Sequence, residues 1–187
     1  MGFKPRNQKD QSISELRYTY SARNLWSGFL FGIGLVAFID EAIFHQLLHW
    51  HHFYDKSTSN IGLVSDGLFH ALSWFATVGS LFMFADLRRR KGLWLKRWIG
   101  GVLLGAGSFQ LYDGIIQHKL MRLHQIRYNV AILPYDLIWN IAATIMILVG
   151  ITLVIQTRRS LLKMKEDARN AQMDIFMIMV LVLNRFY

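Results

Sequence analysis

The sequence predicts an all-α integral membrane protein, a four-transmembrane-helix bundle built from two parallel helical-hairpin repeats. Three observations point there. The chain of 187 residues is 53% hydrophobic, with a mean hydropathy of +0.26, high for a soluble domain. Four apolar stretches, near residues 25–50, 62–85, 93–118 and 134–156, each supply the roughly 20 residues that a bilayer crossing needs. The basic residues fall in blocks between those stretches. This last pattern also gives the net charge of +9 its meaning. A nucleic-acid module gathers its cations on one folded face, so the expected partner is the lipid bilayer and not nucleic acid. There is no cysteine, which excludes disulfides, cysteine-type zinc sites, thiolate nucleophiles and covalent c-type haem attachment.

Lysine and arginine orient the elements, because cytoplasmic segments of membrane proteins are enriched in both. Residues 1–24 form a basic leader carrying Lys4, Arg6, Lys9, Arg17 and Arg23. The first span follows it. That span is too long for the core of a cleavable signal peptide and has no small-residue cleavage site after it. Spans one and two make repeat one, 25–85. The connection "DLRRRKGLWLKR" is strongly basic, and spans three and four make repeat two, 93–157. Residues 158–187 open with Arg158, Arg159, Lys163, Lys165 and Arg169. They close on "MDIFMIMVLVLNRFY", too short for a fifth span and read as an interfacial or packing segment. The remaining two connections are poorer, with Lys56 in one and Lys119, Arg122 and Arg127 in the other. The expected arrangement is a multi-pass protein with both termini and the central connection cytoplasmic. The domain plan is leader 1–24, transmembrane domain 25–157 and cytoplasmic segment 158–187. Nothing in it forbids a homo-oligomer.

All seven histidines lie in or beside the two outward connections: His45, His49, His51, His52, His70, His118 and His124. Asp40 and Asp113 fall near the outer ends of spans one and three, Asp66 and Asp136 near the outer starts of spans two and four. An internal repeat underlies this. "FGIGLVAFIDEAIFHQLLHWHH" (31–52) aligns without a gap with "LGAGSFQLYDGIIQHKLMRLHQ" (104–125). Gly32 and Gly34 meet Gly105 and Gly107, Asp40 meets Asp113, His45 meets His118, and His51 meets His124. Farther on, Asp66 meets Asp136 and His70 meets Asn140. The glycines are expected to let helices approach closely.

An aspartate within a span costs about 2.5–3.5 kcal/mol at the centre, and such residues usually face a bundle interior. Asp40, His45, His49, Asp66, His70, Asp113, His118, His124 and Asp136 are therefore candidate metal ligands. Asp66 and His70, like Glu41, His45 and His49, recur at helical spacing. The fit is incomplete, since an ideal α-helix points residues five apart, such as Asp40 and His45 or Asp113 and His118, about 140° from one another. One of each pair is then expected to ligate and the other to brace a neighbour. His52 and Asp55 are read as a hydrated rim. Zinc, iron or copper(II) suits imidazole and carboxylate. A b-type haem is the rival cofactor, with His45 and His118 as axial ligands. The functional readings are an outward-facing metal or haem site, a membrane-embedded metal-dependent hydrolase with Glu41 as general base, and a cation- or proton-coupled transporter. The inner halves of the spans lack acids and histidines, which weighs against the transporter.

The "G-x-G…D…H…WHH" run, "SDGLFHA", "GAGSFQLYDGIIQHKLMRLHQIR" and "YDLIWN" resemble a bacterial family of predicted inner-membrane proteins, domain of unknown function twenty-two forty-three. The resemblance covers about residues 22–158 and implies four spans in the bacterial plasma (inner) membrane. The family's third-span motif is usually richer in histidine; Lys119 and Gln125 stand in those places here. Members are often encoded near cytochrome oxidase assembly factors. The resemblance therefore implies haem or copper handling accessory to respiratory-chain assembly, with oxidase assembly proteins as partners.

Overall fold

The computed structural model describes residues 8–184. In order these form α1 (Gln8–Thr19), α2 (Ser21–Asp40) running into a first π-helix (Glu41–Leu47), α3 (Ser59–Arg89), α4 (Leu95–Leu111) running into a second π-helix (Tyr112–Met121), and α5 (Ile132–Leu183). There is no strand among the described residues. Four helical segments are long and apolar enough to cross a membrane: Ser21–Leu47, Ser59–Arg89, Leu95–Met121 and Ile132–Leu183. Pro134 falls in the first turn of α5, where a missing N–H leaves no helical bond unmade.

The helices pack as two hairpins joined along α2 and α4. α3 lies against α2, and α5 against α4. Small residues make the central contact, as expected of helices that associate in lipid without a hydrophobic driving force. Gly28 and Gly32 of α2 sit on the backbone of Trp98 and Val102, and Gly101 and Gly105 of α4 on that of Leu25 and Phe29. A Cβ at any of these four would run into main chain. Gly34 and Gly107 instead face within their hairpins, against Ser73 and Thr77 in one case and Ala143 and Ile147 in the other. The large apolar side chains point outward: Leu68, Phe75 and Phe82 on α3, and Ile138, Ile145 and Leu148 on α5, are exposed to where lipid would lie.

Opposite the histidine end, polar groups satisfy one another. The Asn24 side-chain amide donates to the Gly92 carbonyl at 2.9 Å and its oxygen accepts from the Trp94 N–H at 2.8 Å. Buried Arg97 donates to the Ser21 carbonyl at 2.9 Å and to the Thr157 hydroxyl at 3.1 Å.

The leader is helical over the part described. The helix that carries the fourth apolar stretch runs on past residue 156. α5 is one helix of 52 residues, about 78 Å at 1.5 Å per residue, against roughly 30 Å of hydrocarbon core. The tail, expected as an interfacial or packing segment, continues this helix, with Met173, Ile175, Phe176 and Leu183 exposed along it. Residues 185–187 of that tail lie outside the described residues.

Candidate metal centre

The site begins with a change of helix type. Each central helix loosens into a π-helix just where its aspartate sits, at Asp40 and at Asp113. A π-helix bonds i to i+5, so residues five apart come to lie over one another. His45 Nε2 is 3.7 Å from Asp40 Oδ2, and His118 Nε2 is 3.1 Å from Asp113 Oδ2. The divergence expected of an ideal α-helix is thereby removed, and each aspartate and its histidine share one face.

The two π-helices also end alike. The Trp50 N–H donates to the Phe44 carbonyl at 2.8 Å and the Leu123 N–H to the Gln117 carbonyl at 2.9 Å. One residue before each donor, the backbone turns left-handed, at His49 (φ 49°) and Arg122 (φ 52°). Histidine is among the few non-glycine types enriched in that region. The reversal sends the chain back over the helix end and returns His51 and His124 to the cluster.

Four imidazoles meet there. The His51 and His124 rings stack with centroids 4.5 Å apart. His45 lies 4.4 Å from His51, and His118 lies 4.7 Å from His124. The four are only 2–6% exposed. In three of them Nδ1 is turned to a partner beside the cluster. His51 Nδ1 donates to the Ile126 carbonyl at 3.0 Å, and His124 Nδ1 to the Phe53 carbonyl at 2.9 Å. His45 Nδ1 lies 3.2 Å from Asp66 Oδ1 and 2.8 Å from Glu41 Oε2, the latter a close ion-pair approach rather than an aligned hydrogen bond. A neutral imidazole that donates from Nδ1 carries its lone pair on Nε2. The Nε2 atoms of His45, His51, His118 and His124 are all buried with no hydrogen-bond partner, as is His118 Nδ1. Burial, then the neighbouring His45 and His124, pushes the His51 pKa down to about 2, so that its ring is neutral and able to ligate.

Two carboxylates face these nitrogens. Asp113 presents Oδ2 to His118 and Oδ1 to His124 Nε2, the latter at 3.5 Å, while Asp40 faces His45. Where Nδ1 donates, as in His45 and His124, the Nε2 lone pair and the carboxylate oxygen it faces repel unless a proton or a metal cation lies between them. Three sets of buried donors lie within 4.8 Å of one another: His51, His118 and His124; Asp40, His45 and His51; and Glu41, His45 and Asp66.

The remaining sequence candidates are placed elsewhere. His49 is exposed and forms the turn. His70 is half-buried, 3.5 Å from Gln46 and against Phe38. Asp136 is paired with Lys119. His52, read as a rim residue, instead holds Asp66, with Nδ1 2.6 Å from Oδ2; the Phe53 N–H donates to the same carboxylate at 2.7 Å. His51 was not among the candidate ligands. The signal that singles it out is its match to His124 in the repeat.

Two clefts reach the cluster. One, of about 370 Å³, is lined by His49, His51, His52 and Tyr128. The other, of about 480 Å³, is lined by His118, His124, Lys119 and Asp136 and shares Tyr128 with the first.

No curated protein matches the chain, and no solved structure does. The family whose model matches residues 27–157 is described as predicted membrane protein (DUF2243), and the chain, with its four membrane-span helices, belongs to that family.

Proposed function

We propose that this membrane protein binds divalent metal through the inward-facing Nε2 atoms of His45, His51, His118 and His124 and the carboxylates of Asp40 and Asp113. The observation that carries this reading is the sorting of nitrogens. Nδ1 is tied to a carbonyl or carboxylate in three of the rings, and Nε2 is buried without a partner in all four. Ligating histidines are usually held this way, with the second N–H donated to a carboxylate or carbonyl that orients the ring. Zinc, iron or copper(II) suits such donors. The haem alternative is less well supported, because the stacked His51 and His124 rings lie beside His45 and His118 where a porphyrin between those two would go. Glu41 sits on the Nδ1 side of His45, which favours a positioning role over that of a general base. Basic blocks at the opposite end support an outward-facing site with cytoplasmic termini. The family resemblance supplies a setting, metal handling alongside oxidase assembly proteins.

The test is metal content and affinity of the detergent-purified chain after exposure to zinc, iron or copper, with an optical spectrum. Bound metal without a Soret band, lost or greatly weakened in His45→Ala and His118→Ala, is the expected result. A Soret band reverses the choice of cofactor. No metal and no haem, in parent and variants alike, refutes the reading.

A further inference from the structure

We propose that the cluster holds two metal ions side by side, one on each hairpin's own triad: Asp40, His45 and His51 for the first, Asp113, His118 and His124 for the second. The proposal rests on the metal-site reading above and deepens it. Each triad is two imidazoles and one carboxylate, a donor set that binds a metal on one face and leaves the other positions open.

Two observations favour two ions over one. The first is the partition of donors. Each aspartate faces histidines of its own hairpin, Asp113 with His118 and His124 and Asp40 with His45. The close-lying donor sets also divide, one around His118 and His124, another around Asp40 and His45, and none of them joins Asp40 to His118. His51 stands in both sets. Its Nδ1 is taken by the Ile126 carbonyl, so it has one nitrogen to give, and the repeat assigns that nitrogen to the first triad.

The second is reciprocal bracing. His51 of the first hairpin donates to Ile126 in the second, and His124 of the second donates to Phe53 in the first. Each hairpin therefore orients a ligand of the other, and the two half-sites are built as equals.

The experiment loads the purified chain with cobalt(II) or copper(II), removes the excess and measures ions per chain by elemental analysis, with electron paramagnetic resonance on the same samples. Two ions per chain with a spin-coupled signal is expected. Asp40→Asn/His45→Ala and Asp113→Asn/His118→Ala should each keep one ion and show an uncoupled signal. One uncoupled ion per chain in the parent overturns the pair and leaves the metal-site reading standing. No ion in the parent overturns both. The parent's ratio and coupling decide the matter even where a double variant does not fold.

Discussion

At the scale of the residue, neighbours in sequence have different work. His49 and His51 are two apart, yet one turns the chain at φ 49° and the other turns its ring into the cluster at 6% exposure. Glycine adopts a left-handed conformation without steric cost, so His49→Gly should leave metal affinity within about twofold of the parent. His51→Ala removes a ligand. It should cost more than the roughly 10–100-fold that loss of a bracing group commonly costs. His52→Ala should fall between the two, because it leaves Asp66 with one imidazole fewer to hold it behind His45. Competition titrations of the three variants against a chelating dye give the order. Equal losses in His49→Gly and His51→Ala would refute the division of roles.

At the scale of the element, the central helices must do two things at once: approach closely, and widen at one end. Small residues serve the first and π-helices the second. Gly105 sits on the Phe29 backbone, which cannot yield as a flexible side chain would. Gly105→Leu should therefore destabilise the bundle by at least the roughly 1–3 kcal/mol typical of overpacking, and metal affinity should fall with it, since α2 and α4 carry the two triads. Gly79 of α3 has open space around its Cβ position. Gly79→Ala should be neutral, or stabilising by up to about 1 kcal/mol through helix propensity. Thermal unfolding in one detergent compares the pair. A Gly105→Leu protein as stable as Gly79→Ala would mean that the α2–α4 contact is not what holds the hairpins together.

At the scale of the whole molecule, the histidine cluster and the basic blocks occupy opposite ends of one bundle. The absence of native cysteine makes their sidedness easy to measure. Single cysteines at Ser57, Arg90 and Ser160 should divide cleanly. Only the one at position 57 should react with an impermeant thiol reagent added outside intact cells. Labelling at position 90 with none at 57 would invert the orientation and turn the site inward.

Hydropathy and charge by themselves determined the four apolar helices and the bilayer as their surroundings, because length and composition alone decide whether a helix can cross hydrocarbon. Charge and spacing also placed all seven histidines and Asp40, Asp66, Asp113 and Asp136 at one end of the bundle, and of the candidate ligands the structure brings Asp40, His45, Asp113, His118 and His124 together. The tertiary structure decided the rest. An ideal helix sets residues five apart on different faces, and only the π-helices, held by backbone bonds that no side-chain pattern announces, bring Asp40 over His45 and Asp113 over His118. His51 joins the cluster, and His49 does not, because a left-handed residue reverses the chain between them. Asp66 and Asp136 match in sequence but part in space, since Asp66 is drawn to His45 and His52 while Asp136 is paired with Lys119. Periodicity says which residues share a helix face. Which faces meet, and which nitrogen of each ring is left free, depends on contacts between segments some seventy residues apart.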